Sequence, residues 1–341
     1  MRVAVIGAGS MGGMHALLLG GMDGVDEVLV VDADAERAAM AAAAAGGRAV
    51  ELNAALSEAD AIVVATPALA HAEAVDAAMD RGLPVLCEKP LTDDLASSLE
   101  LTRRVEASDA HVEMGFQRRH DAGFTAGRLA VADGSAGRIH LLRLTAFDPR
   151  SPGLMAPAWP ESEVAPLFLH SSIHDFDFVR WLSGEEVVEV SADGSRRDDA
   201  RPEDPRGIET AVVTMRLAGG GIALLEASWL HPNGYDIRAE LLAENAHLTM
   251  GLSQRTPAEH LDWVRIEGAP AWTGYLERFE PAYRGELVAF LAACRSERPP
   301  SSSARDGLEA MRIAVAATRA YSERRSVRID EIPGIAGAEV A

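Results

Sequence analysis

The chain is predicted to fold as an α/β domain with a doubly wound parallel sheet (residues 1–122) joined to an α+β domain with a large, mostly antiparallel open sheet (residues 123–341). Three observations lead there. The 341 residues, 48% hydrophobic and 25% charged, suffice for two domains with sizeable cores. The first third alternates short apolar runs with helical patterns, as β–α–β crossovers do. Beyond residue 122, strand-like runs follow one another with glycine or polar turns between them.

The opening stretch, RVAVIGAGSMGGMHALLLGG, reads as strand, glycine turn and helix. Gly7, Gly9 and Gly12 make G-x-G-x-x-G, with Ser10 and Met11 inside the turn. One glycine permits the tight turn, the second lets backbone approach a pyrophosphate, and the third lets helix and strand pack closely. The helix N-terminus then offers its N–H groups to the phosphates. A second strand, EVLVVDAD, carries Asp32, twenty residues past Gly12, where an acid accepts hydrogen bonds from the adenosine ribose. That carboxylate repels a 2′-phosphate, and Ala33 follows where an arginine would hold one. Arg37, one helical turn on, keeps NADP open, but NAD is the expected cofactor.

ERAAMAAAAAGG is then a helix ended by glycine, and AIVVATP a strand stopped by Pro67. LAHAEAVDAAMDRG reads as a helix and PVLCEKP as a strand. TDDLASSLELTRRVEAS reads as a helix capped by Thr92 with acids in its first turn, and HVEMGFQ closes the series. Thr66, Pro67, Glu88 and Lys89 fall at strand carboxyl ends, where open α/β sheets bind ligands. Lys89 is thereby expected near the cofactor, the bland alternative being a solvated side chain.

Composition narrows the partners. Lys and Arg total 32 against 52 Asp and Glu, a net charge of −20, which argues against nucleic acid and anionic membranes. Cys87 and Cys294 offer no disulfide framework and suit a reducing compartment; Cys87, in an apolar run, reads as a small buried hydrophobe. No apolar run reaches spanning length, and a core-like strand begins at Arg2. A cytoplasmic protein is expected.

In the second domain, GRIHLLRLTAFD, EVVEVSADG, ETAVVTMRLAGG, GIALLEASWL, YDIRAELLAE and AHLTMGL read as strands, with a helix over 170–183 on one face. Neighbouring apolar pairs, Val212–Val213 and Leu224–Leu225, suggest a sheet buried on both sides and so a homo-oligomer, a dimer or tetramer through this sheet. PPSSSARDG is a loop, GLEAMRIAVAATRAYSE a helix packing back on the body, and IPGIAGAEVA a frayed end.

The ordered set ATPALAH, VLCEKPL, GFQRRHD and HSSIHDFDFVRWLSG behind the glycine turn resembles the glucose–fructose oxidoreductase / inositol dehydrogenase / MocA family. GYDIRAELL and WTGYLERFEPAYRGELVAFLAA resemble its inositol dehydrogenase branch. The resemblance spans essentially the whole chain. It implies an NAD(P)-dependent dehydrogenase acting on the CH–OH group of a polyol or sugar-like substrate. Lys89 and His174 would face the nicotinamide; Glu88, Thr66, Pro67 and His71 would belong to the cofactor site. Gln117, Arg118, His170 and Tyr235 would lie near the substrate. Hydride loss from an alcohol needs a base for the hydroxyl proton and a cation for the developing alkoxide, which His174 and Lys89 supply in either assignment.

Two departures stand out. His170 occupies the position where the family usually has aspartate, which removes an anion and weakens the expectation for simple polyols such as inositol. The segment AFDPRSPGLMAPAWPESEVAP brings Met155 and Trp159 where polar residues are expected, pointing to a larger or more apolar substrate. His170 also supports an alternative: an NAD-binding protein without turnover, acting as a sensor. A third reading takes His170 and His174, with Asp177, as zinc ligands on a hydrolase helix. Ser171 and Ser172 stand where that chemistry wants a glutamate beside the first histidine, so no metal is expected. His174 as a buried structural histidine is the fourth.

Overall fold

The computed structural model describes residues 1–150, 163–196, 207–256, 270–296 and 300–335; Met155, Trp159 and residues 336–341 lie outside them. By backbone proximity the chain forms two compact units, residues 1–117 with 283–308, and residues 118–282 with 309–341. The sequence places one boundary at 122, whereas the chain passes between the units at 117/118, 282/283 and 308/309.

The first unit is built on β1 (Arg2–Ile6), α1 (Ser10–Gly20), β2 (Glu27–Val31), α2 (Ala35–Ala45), β3 (Arg48–Ala49), α3 (Leu52–Glu58), β4 (Ala61–Val64), α4 (His71–Met79), β5 (Val85–Glu88), α5 (Leu95–Glu106) and β6 (Val112–Gly115). Its strands pair in parallel in the order β3-β2-β1-β4-β5-β6. The order reverses between β1 and β4, and at such a switch point the strand ends open a ligand crevice. β4 and residues 3–6 of β1 and 85–87 of β5 read as unbroken apolar runs because parallel strands are covered on both faces; every residue of β4 is fully buried. Asp34 caps α2, its carboxylate accepting from the Glu36 and Arg37 N–H groups, and Gly46 ends it at φ 66°. Such a cap contributes about 1 kcal/mol.

The cap of α5 differs from the sequence reading. Thr92 turns inward, donating to Asp94 O and sharing a 2.6 Å hydrogen bond with Ser98 Oγ. Asp94 caps instead, accepting from the Ser97 N–H at 2.8 Å, and no acid lies in the first turn.

The second unit holds α6 (Ala122–Ala132), β7 (Ile139–Pro149), α7 (Ile173–Ser183), β8 (Val187–Ser195), β9 (Thr210–Leu217), β10 (Ile222–His231), β11 (Asp236–Ala243) and β12 (His247–Met250). Then come α8 (Tyr275–Ser296) and α9 (Ala304–Glu323), which each contribute to both units, and β13 (Val327–Arg328). Seven strands pair in the order β12-β11-β7-β10-β9-β8-β13, all antiparallel except β7 with β10. Phe124 of α6 packs on Phe178 of α7 with ring centres 4.7 Å apart.

Val213 and Leu225 are fully buried, and Val212, 45% exposed, shares the opposite, open face with Ile222, Leu242 and the Arg143–Glu240 ion pair. One expectation is corrected. The expected helix over 170–183 divides. Leu167–Ser172 forms a π-helical turn and α7 begins at Ile173, so His170 and His174 sit in different windings.

Candidate active site

In the first unit the glycine turn has the shape its spacing implies. Gly7 sits at φ 95°, and a Cβ there would lie 2.6 Å from Ala65 O. A Cβ on Gly12 would lie 1.7 Å from Gly7 O, so only glycine lets α1 approach the turn this closely. A Cβ on Gly9 would meet nothing within 4 Å. Gly9 also brings no side-chain acceptor to the start of α1, which leaves the N–H groups of Ser10 and Met11 for a ligand. The cradle fits a pyrophosphate.

Asp32 sits just past β2. Its carboxylate accepts from the Ala8 N–H at 2.7 Å and the Asp34 N–H at 2.8 Å, and Arg37 Nε lies 3.3 Å away. Burial acts to raise its pKa, but those N–H groups and Arg37 outweigh it and hold the carboxyl below its usual range. Ala33 and Arg37 are exposed beside it.

Thr66 and Pro67 follow β4, and the Thr66 hydroxyl is buried with no protein partner. His71, expected in the cofactor shell, is committed elsewhere: Nδ1 lies 2.8 Å from Pro90 O and Nε2 2.8 Å from Thr66 O. It braces the turns after β4 and β5, and burial pushes its pKa down. Glu88 likewise points inward, Oε1 2.8 Å from His15 Nε2 and Oε2 accepting the Lys89 N–H at 3.1 Å. Lys89 is half-buried and joined to Pro90 by a cis peptide bond. Gln117, at the end of the unit, is buried, and its Oε1 has no protein donor.

In the second unit Arg118 is buried, with Nη1 2.5 Å from Asp175 Oδ1 and its guanidinium 5.9 Å from the centre of the Phe279 ring. Burial works against its charge; Asp175, Tyr235 and Asp148 overcome that and hold the guanidinium charged. Arg118 Nε and Asp175 Oδ2 make no hydrogen bond to protein, so the pair keeps a donor and an acceptor for a polyhydroxylated ligand. Tyr235 is buried edge-on to Phe279; burial raises its pKa far above normal, Asp148 adding to the effect. Asp148, at the end of β7, accepts from Ser171 Oγ at 3.2 Å, which itself accepts from Trp229 Nε1 at 2.6 Å. His170 is half-buried next to Ser171, and His174 is buried in the first turn of α7.

The zinc reading does not hold. Asp177 is engaged by the Arg119 fork. Among the described residues, the side chains that converge as metal ligands would are His15, Glu88 and Glu286, not His170, His174 and Asp177. Sequence reasoning did not single out Asp148, Asp175 or Trp229, and weighed Ser171 only as standing where a glutamate would be wanted. Asp175 had a signal: an acid on a buried helix, in a chain with two consecutive arginines at 118 and 119.

A glycine cradle, an acid beside β2 and a second unit on an open seven-stranded sheet define the class as a two-unit dinucleotide-binding protein. The chain belongs to the GFO/IDH/MocA oxidoreductase family: residues 1–116 match its NAD-binding Rossmann-fold domain and residues 124–249 its C-terminal domain. It is 35% identical over 325 residues to a myo-inositol dehydrogenase of Streptomyces leeuwenhoekii, covering 94% of this chain and 97% of the relative. It is 32% identical over 338 residues to myo-inositol 2-dehydrogenase of Thermotoga maritima, covering 98% and 100%. A solved myo-inositol dehydrogenase structure from Corynebacterium glutamicum superposes with a TM-score of 0.85 at 26% identity, covering 96% and 98%. No helix among the described residues is long and apolar enough to cross a membrane.

Proposed function

We propose that the chain is a dehydrogenase that moves hydride between C4 of a nicotinamide and a secondary hydroxyl or ketone of a cyclitol or sugar-like ring, with NAD preferred over NADP. The observation that carries this is full-length similarity to two myo-inositol dehydrogenases on a chain that keeps the glycine cradle and Asp32.

When bound, the nicotinamide accepts or returns the hydride. Gly7, Gly9, Ser10, Met11 and Gly12 hold the pyrophosphate, Asp32 the adenosine ribose, and Thr66 and Pro67 flank the same crevice. Lys89 and His174 divide the proton transfer and the stabilisation of the alkoxide. The substrate side consists of Gln117, Arg118, His170 and Tyr235, to which Asp148 and Asp175 are added. Asp148 bears on the substrate class: His170 removes one acid, but this second carboxylate stands beside Ser171 and acts on Arg118 and Tyr235. The unit therefore keeps an acid beside Ser171 on the proposed substrate side, which favours turnover over a silent sensor.

The exposed apolar residues Val212, Ile222 and Leu242 support a homo-oligomer through the open sheet face. The deciding experiment measures NADH and NADPH formation with a panel of inositols and sugars. Turnover of a cyclitol with NAD supports the reading, and tight NAD binding with no turnover of any member refutes it.

A further inference from the structure

Behind the Lys89 turn lies a polar cluster that hydride transfer does not call for. Its members come from three separate elements of the first unit: His15 of α1, Glu88 of β5 and Glu286 of α8. One potential ligand atom from each lies within 4.8 Å of the other two, and all three side chains are buried, Glu286 with 0% exposure. Glu286 interrupts an otherwise apolar helix face that runs through Phe279, Ala282, Tyr283, Leu287, Phe290 and Leu291. Neither of its carboxyl oxygens has a hydrogen-bond partner in the protein.

The titratable neighbours fix what such a group can be. His15 faces Glu88 through Nε2 and meets the ring of Tyr283 edge-on at 6.0 Å. Glu113 of β6 is a further buried acid whose charge acts on Glu286, and His111 Nε2 lies 3.6 Å from Glu113 Oε2. Lys89 acts on Glu88. Three buried acids thus lie close together with His15 in hydrogen-bond contact with only one of them, Glu88. Glu88 has two donors, His15 and the Lys89 N–H, while Glu286 has none. A buried carboxylate with no donor is costly, and the neutral acid is the form that burial selects.

We propose that Glu286 is a positioning residue for the Glu88–Lys89 turn: held as the neutral acid, it fills the space behind Glu88 without setting a second charge there. The Glu88 carboxylate then stays shared between His15 and the Lys89 amide. Burial, Glu88 and Glu113 all raise the pKa of Glu286, whereas His15 and Lys89 outweigh burial and lower that of Glu88. The two acids are driven apart, one neutral and one ionised. A metal ion is the competing occupant. The 2.8 Å between His15 Nε2 and Glu88 Oε1 is a hydrogen-bond distance, shorter than the roughly 3.3 Å separating two ligands on a tetrahedral zinc.

The role assigned to Lys89 rests on the proposed function, so the test separates the proton from the turnover. Glu286→Gln mimics the neutral acid. Infrared difference spectra of native protein against Glu286→Gln at pH 7 are expected to show a protonated carboxyl in the native chain; a carboxylate band alone overturns the proposal. A group whose folded pKa is raised contributes its stability fully below its unfolded value near 4.5 and loses it as pH rises toward the folded value. Glu286→Gln is therefore expected to gain on the native chain by about 3 °C or more in Tm between pH 5 and pH 8. A constant gap overturns the proposal, as does a stoichiometric divalent metal in the native protein. For positioning, Glu286→Ala, which empties the space behind Glu88, is expected to lower turnover at pH 7 about tenfold or more, and Glu286→Gln to restore it, its advantage growing as pH rises. Native turnover in folded Glu286→Ala, or a large loss at pH 7 in folded Glu286→Gln, rejects the positioning role. If no substrate is ever turned over, the proposed function fails while the infrared and Tm results still decide the state of Glu286.

Discussion

The backbone N–H of Ala8, in the glycine turn after β1, donates to the carboxylate of Asp32, just past β2, at 2.7 Å. One hydrogen bond thus ties the phosphate cradle to the residue assigned to the ribose, and the Asp34 N–H fixes the second oxygen. Asp32 is held ionised and in place, facing a 2′-phosphate with a fixed charge. NAD is expected to bind more tightly than NADP. Asp32→Ala should narrow the gap by removing both the ribose acceptor and the repulsion. Arg37, 52% exposed and 3.3 Å from Asp32, would then be released toward a phosphate. Titration of both cofactors against both proteins checks this, and tighter NADP binding by the native chain would sink it.

Lys89 and His174 are expected to matter for chemistry more than for cofactor affinity. Lys89→Ala or His174→Ala should lower turnover about a hundredfold or more, the usual share of acid–base catalysis, with NAD affinity changed far less. Stopped-flow hydride transfer and NAD titration on folded variants separate the two effects. Near-native turnover would assign both residues to structure alone.

The Arg118–Asp175 pair gives a stability prediction. Both side chains are almost wholly buried, so Asp175→Leu leaves an uncompensated guanidinium and should cost about 3–5 kcal/mol. Replacing both, as Arg118→Met with Asp175→Leu, should recover most of that loss while substrate affinity stays low. Urea unfolding of the single and double variants measures it. A double variant no more stable than the single one would show that the pair is held by something other than its charges.

How much of this the sequence revealed depends on where the signal lay. Gly7, Gly9, Gly12 and Asp32 were legible because backbone geometry at a phosphate cradle admits few residues, and the spacing records them. Strand alternation made both sheets legible. The helix at Ala122–Ala132 went unread because only two of its residues are buried, though the Asp121 cap and Gly134 at φ 76° mark its ends. Glu286 carries a faint signal, an acid on the core face of α8, but its partners His15 and Glu88 are distant in sequence. The same holds for Asp148, whose meaning depends on Ser171 and Trp229.

The last prediction concerns where the substrate's anion sits. By the family resemblance, His170 takes the place of the site's usual carboxylate. The proposed function gives that part to Asp148, which accepts from Ser171 beside His170 and acts on Arg118 and Tyr235. A charged acceptor for a ligand hydroxyl is worth about 1.5–3 kcal/mol, so Asp148→Asn should lower kcat/KM for a polyol about tenfold or more while NAD affinity stays native. His170→Asp restores the family's usual acid and should improve turnover of free inositol, which the native chain is expected to use poorly. An added anion also favours the charged form of nearby bases, so the pH at which the rate rises should move upward in His170→Asp. In the double variant the new aspartate should recover part of what Asp148→Asn loses, because each acid then does the work of the other. Kinetics of the four proteins on myo-inositol across pH check this, and purely additive effects on kcat/KM would show that the two positions serve different groups of the substrate.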